Sequence, residues 1–368
     1  MNCGIVVHGP NIIDSGYALK LINLLKDYGD VEAILGGTMG RTAVIDNSLE
    51  DIIDIGHKRF PSDSLKLFHD KKVDVIFLLN YGKSNVTGQV FGYKVYNNFK
   101  NKIAEDNIPI IQIERPGESD GTIISWNGLN DDLAEELSSK LNLKVVTPQE
   151  IYENHFKEDE KGELRRTIHG VSVGENILVN SIVIGKSTSE NLTLVSKNNI
   201  IVDIEGGIIK PHGVEKLGKI DLNSAIVKTG LLRKTNVTPR VLEKKHNSNN
   251  VAFLDHAGED VYSYKNADIV VTVGDDTTLI ASDILYRFNT PIIGITDGDL
   301  DKVVESGFKT PGSVIFEVES GYDDIIGCEV FKLIFNNKKF IEIDKNQLKE
   351  GIENIINEFD CKYVVNEF

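Results

Sequence analysis

Cysteine is nearly absent. The 368 residues hold three, Cys3, Cys328 and Cys361, far apart and with no CxxC pair. That excludes a disulfide-framed scaffold and a zinc ribbon, and it fits a reducing cytoplasm. Long apolar runs are also missing. No stretch approaches the ~18 residues of a membrane span, and no basic region precedes the short apolar run that begins the chain. The expected location is therefore cytoplasmic, with no membrane as partner. Positive charge is the third shortage: Lys and Arg number 40 against 56 Asp and Glu, a formal net charge of -16. Affinity for a nucleic-acid backbone rests on cations, so nucleic acid is not an expected partner. An acidic protein that handles phosphate needs a divalent cation or a helix N-terminus to offset repulsion, which points to Mg²⁺ as the cofactor to look for.

What is present is ordinary globular material, 40% hydrophobic and 26% charged, in a chain longer than one core usually organises. From Cys3 to about Val146, short apolar runs (4–7, 31–35, 73–79, 108–113) alternate with amphipathic stretches, the pattern of strand-helix units around a parallel sheet. Leu21, Leu24, Leu25 and Tyr28 have the i, i+3, i+4, i+7 spacing of a helix that Gly29 would stop, and residues 131–141 read as another. Beyond Gln149 come β-branched runs at 171–174, 177–184, 192–195, 200–204 and 208–209, separated by Gly, Asn and Ser. Residues 233–250 are polar and read as an exposed connection. Strand-helix alternation then resumes at 251–254, 268–273, 291–295 and 313–318, with a last helix at 345–358. The expected fold is α/β, two Rossmann-like parallel-sheet units flanking a β-rich middle segment, with domains at 1–148, 149–235 and 251–368.

In such sheets ligands bind outside the carboxyl ends of the strands, so the loops there carry the functional reading. In the first unit they are His8-Gly9-Pro10, Gly36-Gly37-Thr38-Met39-Gly40-Arg41, Asn80-Tyr81-Gly82-Lys83-Ser84 and Glu114-Arg115-Pro116-Gly117-Glu118. The amides of Gly36, Gly37 and Gly40 suit close approach to an anion, with Arg41, Lys83 or Arg115 adding charge. Neither Gly-rich loop is a P-loop: the first has Arg where Lys belongs and is a residue short, and the second lacks the upstream Gly. His8 is the acid-base candidate. Residues 210–213 and 228–234, with Lys228, Arg233 and Lys234, read chiefly as solvated surface. His169 and His212 lack a partner at zinc-ligand spacing.

The last unit has two acidic strand-end loops, Gly274-Asp275-Asp276-Thr277-Thr278 and Asp297-Gly298-Asp299-Leu300-Asp301. If their strands are neighbours the loops meet, and crowded carboxylates repel unless a cation compensates. Asp276, Asp297 and Asp299 are the expected Mg²⁺ ligands, with Gly274 and Thr278 beside the phosphate. Helix capping by Asp or Thr is the alternative role.

Through residues 8–16, 35–46, 80–84 and 274–301 the chain resembles an uncharacterised protein family of methanogenic archaea, which implies no activity. Locally, Val273-Gly274-Asp275-Asp276-Thr277-Thr278, a helix and then Pro291-Ile292-Ile293-Gly294 resemble the Gly-Gly-Asp-Gly-Thr region of NAD kinases and their lipid-kinase relatives. That resemblance implies a catalytic role for Asp276, although Asp275 and Thr277 stand where the family has glycine. Two functions follow as expectations: Mg²⁺-dependent binding or phosphoryl transfer of a nucleotide or phosphorylated metabolite at Asp276, or a non-catalytic sensor or assembly factor holding an anionic ligand or a partner protein through the N-terminal loops.

Overall fold

The computed structural model describes residues 1–155, 163–168, 170–180, 182–222, 225–230, 232–243, 249–256, 260–298 and 309–368. They form two compact units, Met1–Val237 and Thr238–Phe368. The architecture is α/β, with parallel-rich sheets at either end of the chain and antiparallel sheets between them.

The first unit opens with β1 (Asn2–His8), α1 (Asn11–Asp14), α2 (Tyr17–Leu25), β2 (Asp30–Gly36), α3 (Arg41–Asp46), β3 (Ile53–Asp54), α4 (Pro61–Asp70), β4 (Val75–Asn80), α5 (Asn85–Lys100), β5 (Ile110–Glu114), β6 (Thr122–Ser125), α6 (Asp131–Leu141) and β7 (Lys144–Val145). They make one seven-stranded sheet in the order β3-β2-β1-β4-β5-β6-β7. The first five of these run parallel, with Val6 opposite Ile34 on one side and Leu78 on the other, and β6 turns antiparallel to β5. Near-continuous apolar strands are what a sheet covered on both faces requires, and all six residues of β4 are buried. Val6, Ile34, Ile76, Leu78 and Ile110 pack under Leu65 and Phe68 of α4 and Val95 and Phe99 of α5. Ile5, Val7, Phe77 and Leu79 alternate with them, face the opposite layer and are equally buried. The helix expected from the spacing of Leu21, Leu24 and Leu25 runs from Tyr17 to Leu25 and buries Ala18, Leu21, Ile22 and Leu25.

Because β1 is flanked by β2 and β4, the chain leaves it on one side and returns on the other. The carboxyl ends of β1 and β4, His8 and Asn80, therefore stand on either side of a topological switch point, where a doubly wound sheet leaves a crevice.

After α7 (Pro148–His155) the middle segment builds two small sheets from β8 (Glu163–Ile168), β9 (Asn176–Val179), β10 (Ile182–Ser187), β11 (Leu192–Lys197), β12 (Ile200–Glu205), β13 (Gly207–Ile209) and β14 (Val227–Thr229), with α8 (Pro211–Leu217). Their orders are β13-β10-β9-β14 and β12-β11-β8, around a core that includes Ile177, Ile184, Leu194, Ile204 and Leu222. The run 171–174 is not the strand its β-branched residues suggested. Gly174 has φ +85°, and the amides of Gly174 and Glu175 bond to Ser187 and Ser172 across a turn. Only Val171 of its two valines is buried.

The second unit contains β15 (Asn250–Leu254), β16 (Ile269–Val273), α9 (Asp275–Tyr286), β17 (Ile292–Thr296), β18 (Val314–Val318), α10 (Asp323–Leu333), β19 (Phe340–Glu342), α11 (Lys345–Glu358) and β20 (Tyr363–Glu367). Its sheet order is β19-β15-β16-β17-β18-β20. The four parallel strands lie in chain order with no reversal, so this sheet has no switch point of the kind found in the first unit. No helix among the described residues is long and apolar enough to cross a membrane.

Candidate functional site

A chain of hydrogen bonds runs through the sheet of the first unit to its switch point. It starts at Trp126 just past β6, whose indole Nε1–H can only donate and does so to Gln112 Oε1 at 3.2 Å. With its oxygen so engaged, Gln112 Nε2 donates to the Gly88 carbonyl at 3.0 Å and to Glu114 Oε2 at 2.8 Å. Asn80 Nδ2 donates to the same Oε2 at 2.7 Å, and the Gly82 amide to Oε1 at 2.6 Å. The remaining amide atom, Asn80 Oδ1, lies 2.7 Å from His8 Nδ1. Gln112 and Glu114 are fully buried, Asn80 and Trp126 nearly so.

Helix packing makes room for this chain. Gly88 and Gly92 are one turn apart on α5, over β5. A Cβ at Gly88 would stand 2.0 Å from the Glu114 carboxyl carbon, and one at Gly92 1.6 Å from Gln112 Oε1. Only glycine lets the helix come close enough to enclose both polar side chains. The next position on the same face, Tyr96, stacks on Trp126 with centroids 5.5 Å apart.

Electrostatics follow from that enclosure. Burial raises the Glu114 pKa to about 7, against the lowering effect of Gly82, Asn80, Gln112 and Arg115. Burial lowers that of His8 to about 4, against the hydrogen bond to Asn80, and the positive charge of Lys228 lowers it further. The His8 ring stacks on Phe91 at 3.9 Å and 17°. Its other nitrogen, Nε2, makes no hydrogen bond among the described residues and lies beside Gly37, where a Cβ would stand 3.9 Å from it. Lys228, on β14, forms no ion pair or hydrogen bond among the described residues. Its side chain reaches solvent, yet protein crowds the ammonium enough for desolvation to lower its pKa.

The other expected anion ligands of this unit have structural work. Arg41 is buried and its Nε donates to the Ile55 carbonyl at 3.1 Å. Gly36 ends β2 against Pro61, and the Gly37 amide donates to the Arg59 carbonyl. Gly40 precedes the six-residue α3, its Cα facing the Gly9 carbonyl. Lys83 reaches the middle segment and pairs with Glu175 at 2.9 Å and Thr229 at 2.8 Å. Arg115 has φ +48°, donates to the Gly82 carbonyl and to Asp120, and lies over the Tyr81 ring, which ties two strand-end loops together. Arg233, expected on a solvated surface, is instead a buried fork: it donates to both carboxyl oxygens of Asp14 and to Asp46 Oδ2 at 2.6 Å. Glu175 is the matching hub, a buried carboxylate that also accepts from Lys234 at 2.7 Å. Burial alone would raise its pKa, but these partners hold it at about 2.

In the second unit, β16 and β17 are neighbours, as the acidic-loop reading required. Gly274 has φ +85°, the conformation that lets the chain turn from strand into α9, and Asp275 and Asp276 occupy the first helical turn, where carboxylates offset the helix dipole. Thr278 is buried and bonds Thr272 at 2.8 Å, so its hydroxyl faces the sheet. Asp297 accepts from the Gly321 amide at 2.9 Å. Asp323, at the start of α10, has its pKa raised to about 6 by burial and by the charge of Asp297. Asp299 and His169 lie outside the described residues, as do residues 246–248 of the polar connection. Among the described residues no three His, Cys, Asp or Glu side chains form a group able to hold a metal ion.

The fold and this polar chain define an α/β protein with a Rossmann-like first sheet whose switch point ends in a histidine. Residues 5–338 match the family described as an uncharacterized protein conserved in archaea (DUF2117), and the chain belongs to that family. It is 47% identical to an uncharacterized protein of Methanocaldococcus jannaschii, over 99% of both chains.

His8, Lys228 and the loop starting at Glu114 stand out in the sequence, whereas Asn80, Gln112 and Trp126 do not stand out there as their connection. The signal was available: two polar residues two apart in a strand that is otherwise apolar, preceded by a helix with glycines four apart.

Proposed function

We propose that the protein binds a small anionic metabolite in the switch-point crevice of its first unit, with Lys228 meeting the anion and His8 placed for acid-base work on it. The observation that supports this best is a cation without a partner among the described residues, set beside a histidine whose far nitrogen is held ready by four buried side chains. A ligand anion would pair with Lys228, and an imidazole that stays neutral at physiological pH keeps a lone pair to accept from the ligand. The test is thermal stability in a panel of phosphate, carboxylates and phosphate monoesters. A ligand at 100 times its Kd should stabilise by roughly 3 kcal/mol. Lys228→Ala should abolish the shift while leaving the unliganded melting temperature nearly unchanged. Equal shifts in wild type and variant would overturn the assignment.

A second reading rests on Asp297 and Asp323. A bound cation would relieve the repulsion between them, and the reading is Mg²⁺-dependent binding or phosphoryl transfer of a nucleotide, with Asp276 positioning the reacting hydroxyl. Under that reading Mg²⁺ should raise the melting temperature of the wild type and not of Asp323→Asn. An identical response in the two proteins would count against it.

A further inference from the structure

The hydrogen-bond chain determines more than the position of His8. At pH 8 an ionised Glu114 can only accept, and three donors converge on it: the Gly82 amide, Gln112 Nε2 and Asn80 Nδ2. The Gln112 amide cannot be turned around, because the Trp126 indole on one side only donates and the Gly88 carbonyl on the other only accepts. Asn80 must likewise present its nitrogen to Glu114, which leaves its oxygen facing His8. An amide oxygen only accepts, so the proton of the neutral imidazole sits on Nδ1. The second nitrogen, Nε2, is left as a bare acceptor on the edge beside Gly37.

Lys83, in the loop after β4, bonds Thr229 of β14, which brings the neighbouring Lys228 ammonium within electrostatic reach of an imidazole nitrogen that can accept from a donor. A plain carboxylate or phosphate satisfies the ammonium and offers a lone pair to the nitrogen. Resting on the crevice being an anion site, we infer that its ligand is a hydroxylated anion, a hydroxy acid or a hydroxyalkyl phosphate, whose hydroxyl donates to His8 Nε2 while its charged group pairs with Lys228. Phe91, stacked on the imidazole, holds the ring, and Gly37 lies along the edge that carries Nε2.

The experiment has two parts, both at pH 8. In the first, histidine-labelled wild-type protein is read by ¹⁵N NMR: the His8 shifts should show a protonated Nδ1 and a bare Nε2. A proton on Nε2 would overturn the inference whatever binds. In the second, calorimetry compares matched probes, lactate against propionate and glycerol 3-phosphate against propyl phosphate. In at least one pair the hydroxylated member should bind about tenfold more tightly, the worth of a well-placed hydrogen bond. His8→Phe, which keeps a ring against Phe91, should erase that preference, and Lys228→Ala should weaken both members alike. Equal affinities within each pair, with Lys228 still required, would overturn the hydroxyl assignment and leave the anion site standing. Absence of binding by all four would remove the anion site, and this inference with it.

Discussion

Replacing Glu114 by Gln should change the slope of stability against pH, and the size of the change can be worked from the site. The folded Glu114 has a pKa of about 7 against an ordinary 4.5. The folded protein thus holds its proton more tightly than the unfolded chain, so this contribution is full below pH 4.5 and is lost as pH rises through 7. His8 has the opposite sign. Its folded pKa of about 4 lies below the ordinary 6.5, so its contribution is full above pH 6.5 and is lost as pH falls through 4. Each shift spans about 2.5 pH units, roughly 3 kcal/mol at ~1.4 kcal/mol per unit.

Between pH 4.5 and 6.5 the two slopes nearly cancel, and the wild type should be almost insensitive to this pair. Glu114→Gln leaves only His8, so its stability should climb by up to about 3 kcal/mol across that window relative to wild type. His8→Gln leaves only Glu114 and should decline by a similar amount. The double variant should return to the wild-type slope. Within this window the wild-type carboxyl is itself protonated, so its O–H, like the amide N–H of Glu114→Gln, faces the three donors, and the hydrogen-bond cost is largely common to the two proteins. The assay is urea denaturation at half-unit pH steps, read as the free energy of unfolding of each variant minus wild type. If Glu114→Gln tracks the wild type in parallel from pH 4.5 to 6.5, the carboxyl does not titrate there and the reasoning fails.

Other consequences are open to measurement. Gly88→Ala places a methyl group 2.0 Å from the Glu114 carboxyl carbon; it should cost about 1–3 kcal/mol as an overpacked contact and also abolish anion binding, because the chain that orients His8 is displaced. Denaturant melts and calorimetry on the same sample check both, and binding that survives would separate the site from the chain. Arg233→Ala removes the guanidinium that Asp14 and Asp46 share, and their side chains are 14% and 0% exposed; the expected loss is about 3–5 kcal/mol at pH 7 by urea titration, with Arg233→Lys recovering only part. Glu175→Gln should cost about 1–2 kcal/mol, less than a fully buried pair because Lys234 stays 68% exposed. The Glu175 contribution is full above pH 4.5 and lost as pH falls through about 2, so the variant and wild type should converge in stability at the acid end.

The parallel-sheet units were legible because buried strands and amphipathic helices leave periodic signatures. The helices at 131–141 and 345–358 have the bounds read from the sequence, each with a side chain at its N-cap, Asn130 and Asp344, accepting from the first turn. The run 171–174 was not legible, since β-branched composition reports what a strand tolerates and not where Gly174 turns the chain. Charged residues were the hardest to place. Arg41, Lys83 and Arg233 all lie in polar stretches, and nothing local distinguishes a lysine that will meet a buried carboxylate 92 residues away, as Lys83 meets Glu175, from one left in solvent.

The same limit explains why Lys228 and His8 entered the sequence reading separately. Their relation exists only because β14 is carried back toward the switch point of the first sheet, close enough for the lysine's charge to act on the imidazole. What the sequence does carry is the cost of the arrangement. Gln112 and Glu114 place polar groups in a buried strand, and Gly88 and Gly92 give up helix propensity so that α5 can close over them. All four departures converge on the proton of one histidine. Packing and hydrogen bonding are coupled here: the glycines give the helix room to enclose Gln112 and Glu114, and those side chains fix the Asn80 oxygen against His8.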